Sequence, residues 1–281
     1  MICLTGDIHH MSLGTGNQRA SDITEIRAAQ RYLRMLEEAQ VRVTFFVTGK
    51  LADEEEAETR VVTDHPLVEV GGHGYTCFQP ALPHRVWKKL TGSYNGPRWF
   101  QLWDTRRTID AIWRRLGHRV RAWRNHMYMH GPYTEDVLLE CGIELCSDGV
   151  DRTCVGPRWH ASGLAEFPLN IIPDHEHLYH AERTPRRVAA LQARYHWSDD
   201  FGSRSYYIEE WTDMVIEQLR ANEERGVISN LIIHPITMYL CDDFRGFSRI
   251  LSFIAQCQTA HLSEVHGQLV AGDAAPREAT T

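Results

Sequence analysis

The stretch Val68-Glu69-Val70-Gly71-Gly72-His73-Gly74-Tyr75-Thr76-Cys77 closes an alternating strand pattern with a glycine pair, then presents a histidine and, four positions on, a cysteine. Imidazole nitrogen and thiolate sulfur are donors of zinc sites. Side chains at i and i+4 on a turn or first helical turn point the same way, so His73 and Cys77 can hold one ion. A lone H-x-x-x-C is a weak signal, but two more polar clusters follow hydrophobic strand patterns. Asp7, His9 and His10 come after Ile2-Cys3-Leu4-Thr5, and His234-Pro235 comes after Leu231-Ile232-Ile233. On extended backbone Asp7 and His9 face one side and His10 the other. Strand ends hold side chains rigidly while loops shape a pocket above them, which is where α/β barrels gather their chemistry.

The elements that must position these groups alternate. After the first strand, Asp22 reads as an N-cap with Glu25 three residues on, ahead of a helix with Ile26, Ala29, Leu33 and Leu36 inward. Val41 to Val47 reads as a strand and Leu51 to Arg60 as a charged helix. Residues Pro80 to Asp104 carry Trp87, Tyr94, Trp99, Phe100 and Trp103 without clear periodicity, and are expected to form a long aromatic loop, either functional or a satellite hydrophobic cluster. Ile109, Ile112 and Leu116 mark a second amphipathic helix. Val120 to Trp123 is a strand delivering Arg124, Thr134 to Gly142 a capped helix, and Ile143 to Cys146 a strand ending near Asp148. Another strand end falls at Glu166 to Leu169, followed by His175, His177 and His180, which read as exposed or as a second metal cluster. Glu209 to Glu224 is a helix with Trp211, Val215 and Leu219 inward, Ile228 to Ile233 a strand, and Phe247 to Ile254 the last helix. Strand and helix alternate throughout, so parallel strands with crossover helices are the natural outcome. Polar clusters spread over first, middle and last strands favour a closed or nearly closed (β/α) barrel over an open sheet.

Among 281 residues no Pro/Gly/Ser-rich linker and no repeat is found, so one domain over residues 1–270 with a disordered tail from 271 is expected. The net charge of −7 speaks against nucleic acid or an anionic membrane as the main partner. No signal peptide or membrane span is visible. The odd number of cysteines, 7, scattered in apolar segments, fits reduced thiols and a cytoplasmic setting. The partner expected is a small-molecule or carbohydrate substrate, and a homo-oligomer stays open.

Taken together these segments resemble the polysaccharide deacetylase family, the NodB-homology or carbohydrate esterase 4 type. Leu4-Thr5-Gly6-Asp7-Ile8-His9 is similar to its first motif, Val43 to Gly49 to its second strand, and Glu69 to Cys77 to its metal-ligand motif, which normally reads H-x-x-x-H. Arg124 sits where its third motif has arginine, and Leu231 to Pro235 resembles the last motif. The similarity spans roughly residues 1 to 255. It implies an irregular, seven-stranded (β/α) barrel and metal-dependent hydrolysis of an amide such as an N-acetyl group. Asp7 would be the general base, or itself a ligand, and His234 the general acid, with Arg124 orienting Asp7. Where the family has one Asp and two His as ligands, this chain has His9, His73 and Cys77. A thiolate would restore the missing negative charge and favour Zn²⁺ over hard cations. Tyr75, Trp99, Trp103 and Asp148 are candidate substrate contacts. Soluble N-acetylated sugars or ureides are the expected substrates. A catalytically inactive carbohydrate-binding barrel, supported by the ligand substitutions, and a metal-dependent lyase or isomerase are the alternatives.

Overall fold

The computed structural model describes residues 1–274. Eight strands form one sheet: β1 (Ile2–Ile8), β2 (Val43–Val47), β3 (Val68–Gly72), β4 (Ala122–Trp123), β5 (Leu145–Cys146), β6 (Arg158–Trp159), β7 (Ala165–Glu166) and β8 (Ser229–Ile232). Their order is β6-β7-β5-β4-β3-β2-β1-β8, and every neighbouring pair is parallel except β6 with β7. β1 and β2 are buried along their whole length, as their continuous apolar runs require once helices cover the sheet. The sheet curls until the segment after β7 meets β8. There the Asn170 amide donates to the Asn230 carbonyl at 3.1 Å, and the Asn230 amide donates to the Asn170 side chain at 2.8 Å. The last gap of the barrel is therefore bridged partly by a side-chain amide in place of a strand ladder.

The α/β barrel is as the sequence pattern indicates, with eight strands where seven are expected. The additional one, β6, is an exposed two-residue arm that returns antiparallel through a turn with Gly163 at φ +91°, too short to leave a periodic signature. The helix Glu25–Ala39 buries Ile26, Ala29, Leu33 and Leu36 on the sheet. Its cap is Thr24, whose hydroxyl accepts from the Arg27 amide, whereas Asp22 accepts from the Tyr239 hydroxyl. The charged helix after β2 is broken at Glu55 into Gly49–Glu54 and Glu56–Thr63. Residues 80–104 are not a loop: most lie in the helices Ala81–Thr91 and Arg98–Leu116. The aromatic rings there, Trp87 with Phe100 at 4.3 Å and Phe100 with Trp103 at 5.5 Å, pack on one another and so mask the apolar periodicity. Arg245–Ile254 is followed by a further helix, Leu262–Ala274, which takes in residues 271–274 of the expected tail; the rest of that tail lies outside the described residues. No helix among the described residues is long and apolar enough to cross a membrane.

One close approach fixes how the central strand presents its chemistry. A Cβ on Gly72 would sit 2.4 Å from the Trp123 ring, so only glycine lets β3 lie this close to β4 with the indole over it. His73 follows directly, at the strand end, where its amide donates to the Val47 carbonyl.

Candidate metal centre and active site

Asp7 and His9 leave the end of β1, His73 the end of β3, Arg124 and His126 the end of β4, and His234 the end of β8. In the sheet order these are close neighbours, so the curl alone brings them together at one edge. The rings of His9, His73 and His126 form a near-equilateral triangle, with centroids 5.0, 5.2 and 5.5 Å apart. Donor atoms of these three and of Cys77 all lie within 4.8 Å of one another.

Tautomers follow from the partners. His73 Nδ1 lies 2.8 Å from the Arg124 carbonyl, which can only accept, so the proton is on Nδ1 and Nε2 carries a lone pair. His9 Nδ1 lies 3.0 Å from the Glu25 carboxylate, so the same logic leaves its Nε2 as a lone pair, and that atom is buried without a partner. His126 Nδ1 stands 3.4 Å from His73 Nε2. Burial lowers the His73 pKa to about 4, Asp7 pulling the other way, and burial with His9 and His73 alongside holds His126 well below the usual imidazole range. Inward imidazole nitrogens, that of His9 buried without a partner, are what a divalent cation requires, and the ring nitrogens of His9 and His73 that face away are held by a carboxylate and a carbonyl. The residues fit a metal ion.

Glu25 is the unexpected member. It is buried, accepts from the His9 amide at 2.9 Å and from the Gln18 side chain at 2.7 Å, and stays ionised because His9 outweighs the burial that would push its carboxyl up. Cys77 is buried, with φ +48°, and its thiol donates to the His73 carbonyl at 3.6 Å. Burial, with Asp104, Asp7 and Glu25 nearby, pushes that thiol well up.

Beside the triangle stands a carboxylate and imidazole pair. Asp7 Oδ1 accepts from Arg124 Nη1 at 3.0 Å, and its Oδ2 lies 3.6 Å from His73 Nε2 and 3.7 Å from His234 Nε2. Burial would raise the Asp7 pKa, but His73, the Arg124 guanidinium and His234 together hold it well below the usual carboxylate range. Arg124 is fully buried and also donates to the Ser147 carbonyl, the Ser147 hydroxyl and Thr5. His234 is held from behind by Asp174, which accepts from its amide and faces its Nδ1, both at 2.7 Å. Burial lowers the His234 pKa, yet Asp174 and then Asp7 overcome it and keep it well above the ordinary value.

A cavity of about 240 Å³ opens above these groups, lined by Asp7, His9, His126, Tyr128, His175 and His234 among others, with Arg183 and Arg187 at its rim. Met127 and Tyr128 both adopt positive φ, 58° and 53°, a conformation costly for side chains of this size and kept where a loop is held over a site.

Of the residues predicted from sequence, Asp7, His9, His73, Cys77, Arg124 and His234 converge here. The candidate substrate contacts do not line the cavity. Tyr75 is buried with its hydroxyl on Asp53 and the Arg107 guanidinium 3.5 Å over its ring. Trp99 and Trp103 are exposed along a separate shallow depression, and Asp148 is buried against Asn125 and His130. His10 bonds Thr48 off to one side. Of the trio read as exposed or as a second metal cluster, His175 is exposed, whereas His177 is a buried histidine satisfied by Arg204 and Asp199 and His180 is buried. His126, Glu25 and Asp174 are additional members. His126 stands to Arg124 as His9 stands to Asp7, two residues apart at a strand end, and that spacing is the signal that could have found it.

A curled, mostly parallel sheet with carboxylate, imidazole and guanidinium side chains gathered at one edge is a barrel of the NodB type. The family model described as polysaccharide deacetylase matches residues 22–145, which include His73, Cys77, Arg124 and His126. Over that stretch, a little under half of the chain, the sequence is similar to the polysaccharide deacetylase family. Among solved structures it is similar to a candidate polysaccharide deacetylase from Mycobacterium smegmatis, with 17% identity, a TM-score of 0.71, and coverage of 100% of this chain and 94% of that one. PuuE allantoinase aligns at 10% identity and TM-score 0.65, over 96% of this chain and 90% of its own. A pseudoenzyme of carbohydrate esterase family 4 from Bacillus anthracis aligns at 14% identity and TM-score 0.51, over 95% of this chain and 65% of its own. No curated protein matches in sequence.

Proposed function

We propose that this protein is a metal-dependent hydrolase of a non-peptide amide C–N bond, acting on a small N-acylated molecule such as an N-acetylated sugar. The observation that carries this is the convergence of the inward nitrogens of His9, His73 and His126, that of His9 unpartnered, with Asp7 and His234 on the same side of one cavity. His9, His73 and His126 would hold the ion, and a bound divalent cation, zinc by the donor set, supplies Lewis acidity toward a carbonyl and toward water. Three imidazoles would leave room for water or substrate on such an ion, as catalytic centres require, while Cys77 stays a thiol on the His73 carbonyl.

The chain's own groups account for the proton traffic. Arg124 commits Asp7 Oδ1, leaving Oδ2 as the atom that takes a proton from an attacking water as its oxygen bonds the acyl carbon. His234, kept protonated by Asp174, gives the Nε2 proton to the departing nitrogen as the C–N bond breaks, so the amine leaves neutral. A cavity of about 240 Å³ falls below the ~300–1,000 Å³ that encloses drug-sized ligands, which supports a substrate no larger than one or two sugar units.

The likeness to an allantoinase favours a second reading, hydrolysis of a cyclic ureide by the same residues. The discriminating experiment incubates zinc-loaded protein with N-acetylated mono- and disaccharides and, separately, with cyclic ureides. Amine and acetate release supports the first reading, ring opening the second. Either should fall at least 10²-fold in Asp7→Asn. The one equivalent of zinc held by this centre should be kept in Cys77→Ser and lost in His73→Ala. Turnover unaffected by Asp7→Asn, or absence of both activities from protein with full zinc, would refute the hydrolase reading and leave a binding barrel.

A further inference from the structure

A second group of metal donors lies outside this centre, between the loop after β4, the helix Thr134–Glu140 and the hairpin of β6 and β7. His130 Nε2 and His160 Nδ1 each stand 3.5 Å from the same oxygen, Oε1 of Glu135. The donor atoms of these three residues all lie within 4.8 Å of one another, and the two rings stack with centroids 5.3 Å apart. Separations of 3.5 Å are long for hydrogen bonds. They approach the ~3.3 Å between donors that share one tetrahedral ion at bond lengths of about 2.0–2.1 Å.

His130 is oriented from behind by Asp148, whose Oδ2 lies 3.2 Å from Nδ1, while the outer Nε2 of His160 faces the Cys146 sulfur at 4.0 Å and Glu166 Oε2 at 3.6 Å, so the inner nitrogen of each ring is the one turned to Glu135. His130 Nε2 is buried and has no hydrogen-bond partner. The Ser162 hydroxyl bonds Glu135 Oε2, which leaves Oε1 as the oxygen turned toward the rings. Two histidines converging on one carboxylate, His130 backed by Asp148, form the arrangement in which an outer group fixes tautomer and aim.

We propose that His130, Glu135 and His160 form a second binding site for a divalent cation of the zinc type. The donor set, two nitrogens and one oxygen, suits a borderline cation better than calcium or magnesium. The site ties the hairpin turn to the helix Thr134–Glu140 and, through Asp148, to the loop that carries His126. Asp148 accepts from the Asn125 amide at 2.7 Å and from its side chain at 2.6 Å, one residue before His126. An ion here would brace that loop from outside the cavity.

Calorimetric titration of the metal-stripped full chain with zinc tests this, using wild type, His73→Ala, His160→Ala and the double variant. The expected stoichiometries are two, one, one and none, with Glu135→Gln weakening the second site at least tenfold. His160 is partly exposed, and circular dichroism checks that its variant folds. If wild type binds one equivalent that His73→Ala abolishes and His160→Ala does not, this proposal fails while the first centre stands. If one equivalent is bound that only His160→Ala removes, the second site stands and the reading of the first centre fails. No change in stoichiometry on His160→Ala overturns the inference.

Discussion

Asp174→Asn probes whether His234 is held as an imidazolium, and needs no substrate. Asp174 is fully buried and makes two contacts of 2.7 Å to His234, so the change keeps the side-chain volume and removes only the charge. Asparagine can satisfy one of those contacts with its oxygen and turns an amine toward the other. Removing one partner of a buried ion pair costs about 3–5 kcal/mol, and Asp7 at 3.7 Å compensates only part of this. At ~2–4 °C per kcal/mol for chains of roughly this size, the melting temperature should fall by about 6–20 °C. The pH dependence carries the test. His234 has a raised folded pKa, so its contribution is full below the unfolded value near 6.5 and is lost as pH rises through the folded value. Asp174 has a lowered one, so its contribution is full above about 4 and is lost as pH falls through the folded value. The difference between wild type and variant should therefore be largest between about pH 4 and 6.5 and shrink on either side. Urea unfolding of metal-free protein across this range reads it directly. A difference that is flat with pH, or that grows above pH 7, would show that His234 is neutral in the folded state and that the assigned proton donor is wrong.

Two further outcomes follow from buried charge. Arg124→Met should destabilise the fold by about 3–5 kcal/mol, because Asp7 is left buried without its 3.0 Å partner, and adding Asp7→Asn should recover part of that loss in the same urea assay. Asp104 is a carboxyl whose pKa burial raises to about 6, against its hydrogen bond from the Tyr75 amide at 3.1 Å. The folded state thus binds a proton that the unfolded chain has released, and stability should drop as pH rises from about 4 to 6. Asp104→Asn should remove that slope and raise stability above pH 6 by about 3 kcal/mol; an unchanged slope would show another group titrating.

The strand ends were readable because an apolar run followed by a polar residue has one physical meaning in a buried parallel sheet. Asp7, His9, His73, Arg124 and His234 all come from that pattern, and all meet at one edge. What stayed hidden is what acts across sequence distance. Asp174 lies in a four-residue helix after Pro173, with nothing local to mark it as the partner of an imidazole 60 residues away. Glu25 looked like part of a helix cap because its spacing from Asp22 fits one; burial beneath His9 gives it another use. The aromatic stretch misled for the opposite reason. Rings that pack on each other along Arg98–Leu116 blur the 3.6-residue period, and the strength of the local signal pointed to a loop and a sugar platform where there is a helix with Trp99 and Trp103 turned outward.

Glu25 also bears on why a centre without an aspartate ligand can hold a cation. Replacing a carboxylate by His9 removes one negative charge from the donors, and the sequence suggests a Cys77 thiolate as its substitute. That thiol is pushed well up by burial and by the carboxylates around it, so deprotonating it means adding negative charge to a buried region that already holds Asp7 and Glu25. Glu25 sits 3.0 Å from the far nitrogen of His9 and is already ionised, so its charge would reach a bound ion through the ring it orients. The negative charge has then moved one shell outward, not disappeared. On this account Glu25→Gln should weaken zinc binding about 10–100-fold while Cys77→Ser changes it little. The reverse ranking, measured by competition with a chelator, would return the thiolate to the first shell and close the position that hydrolysis needs.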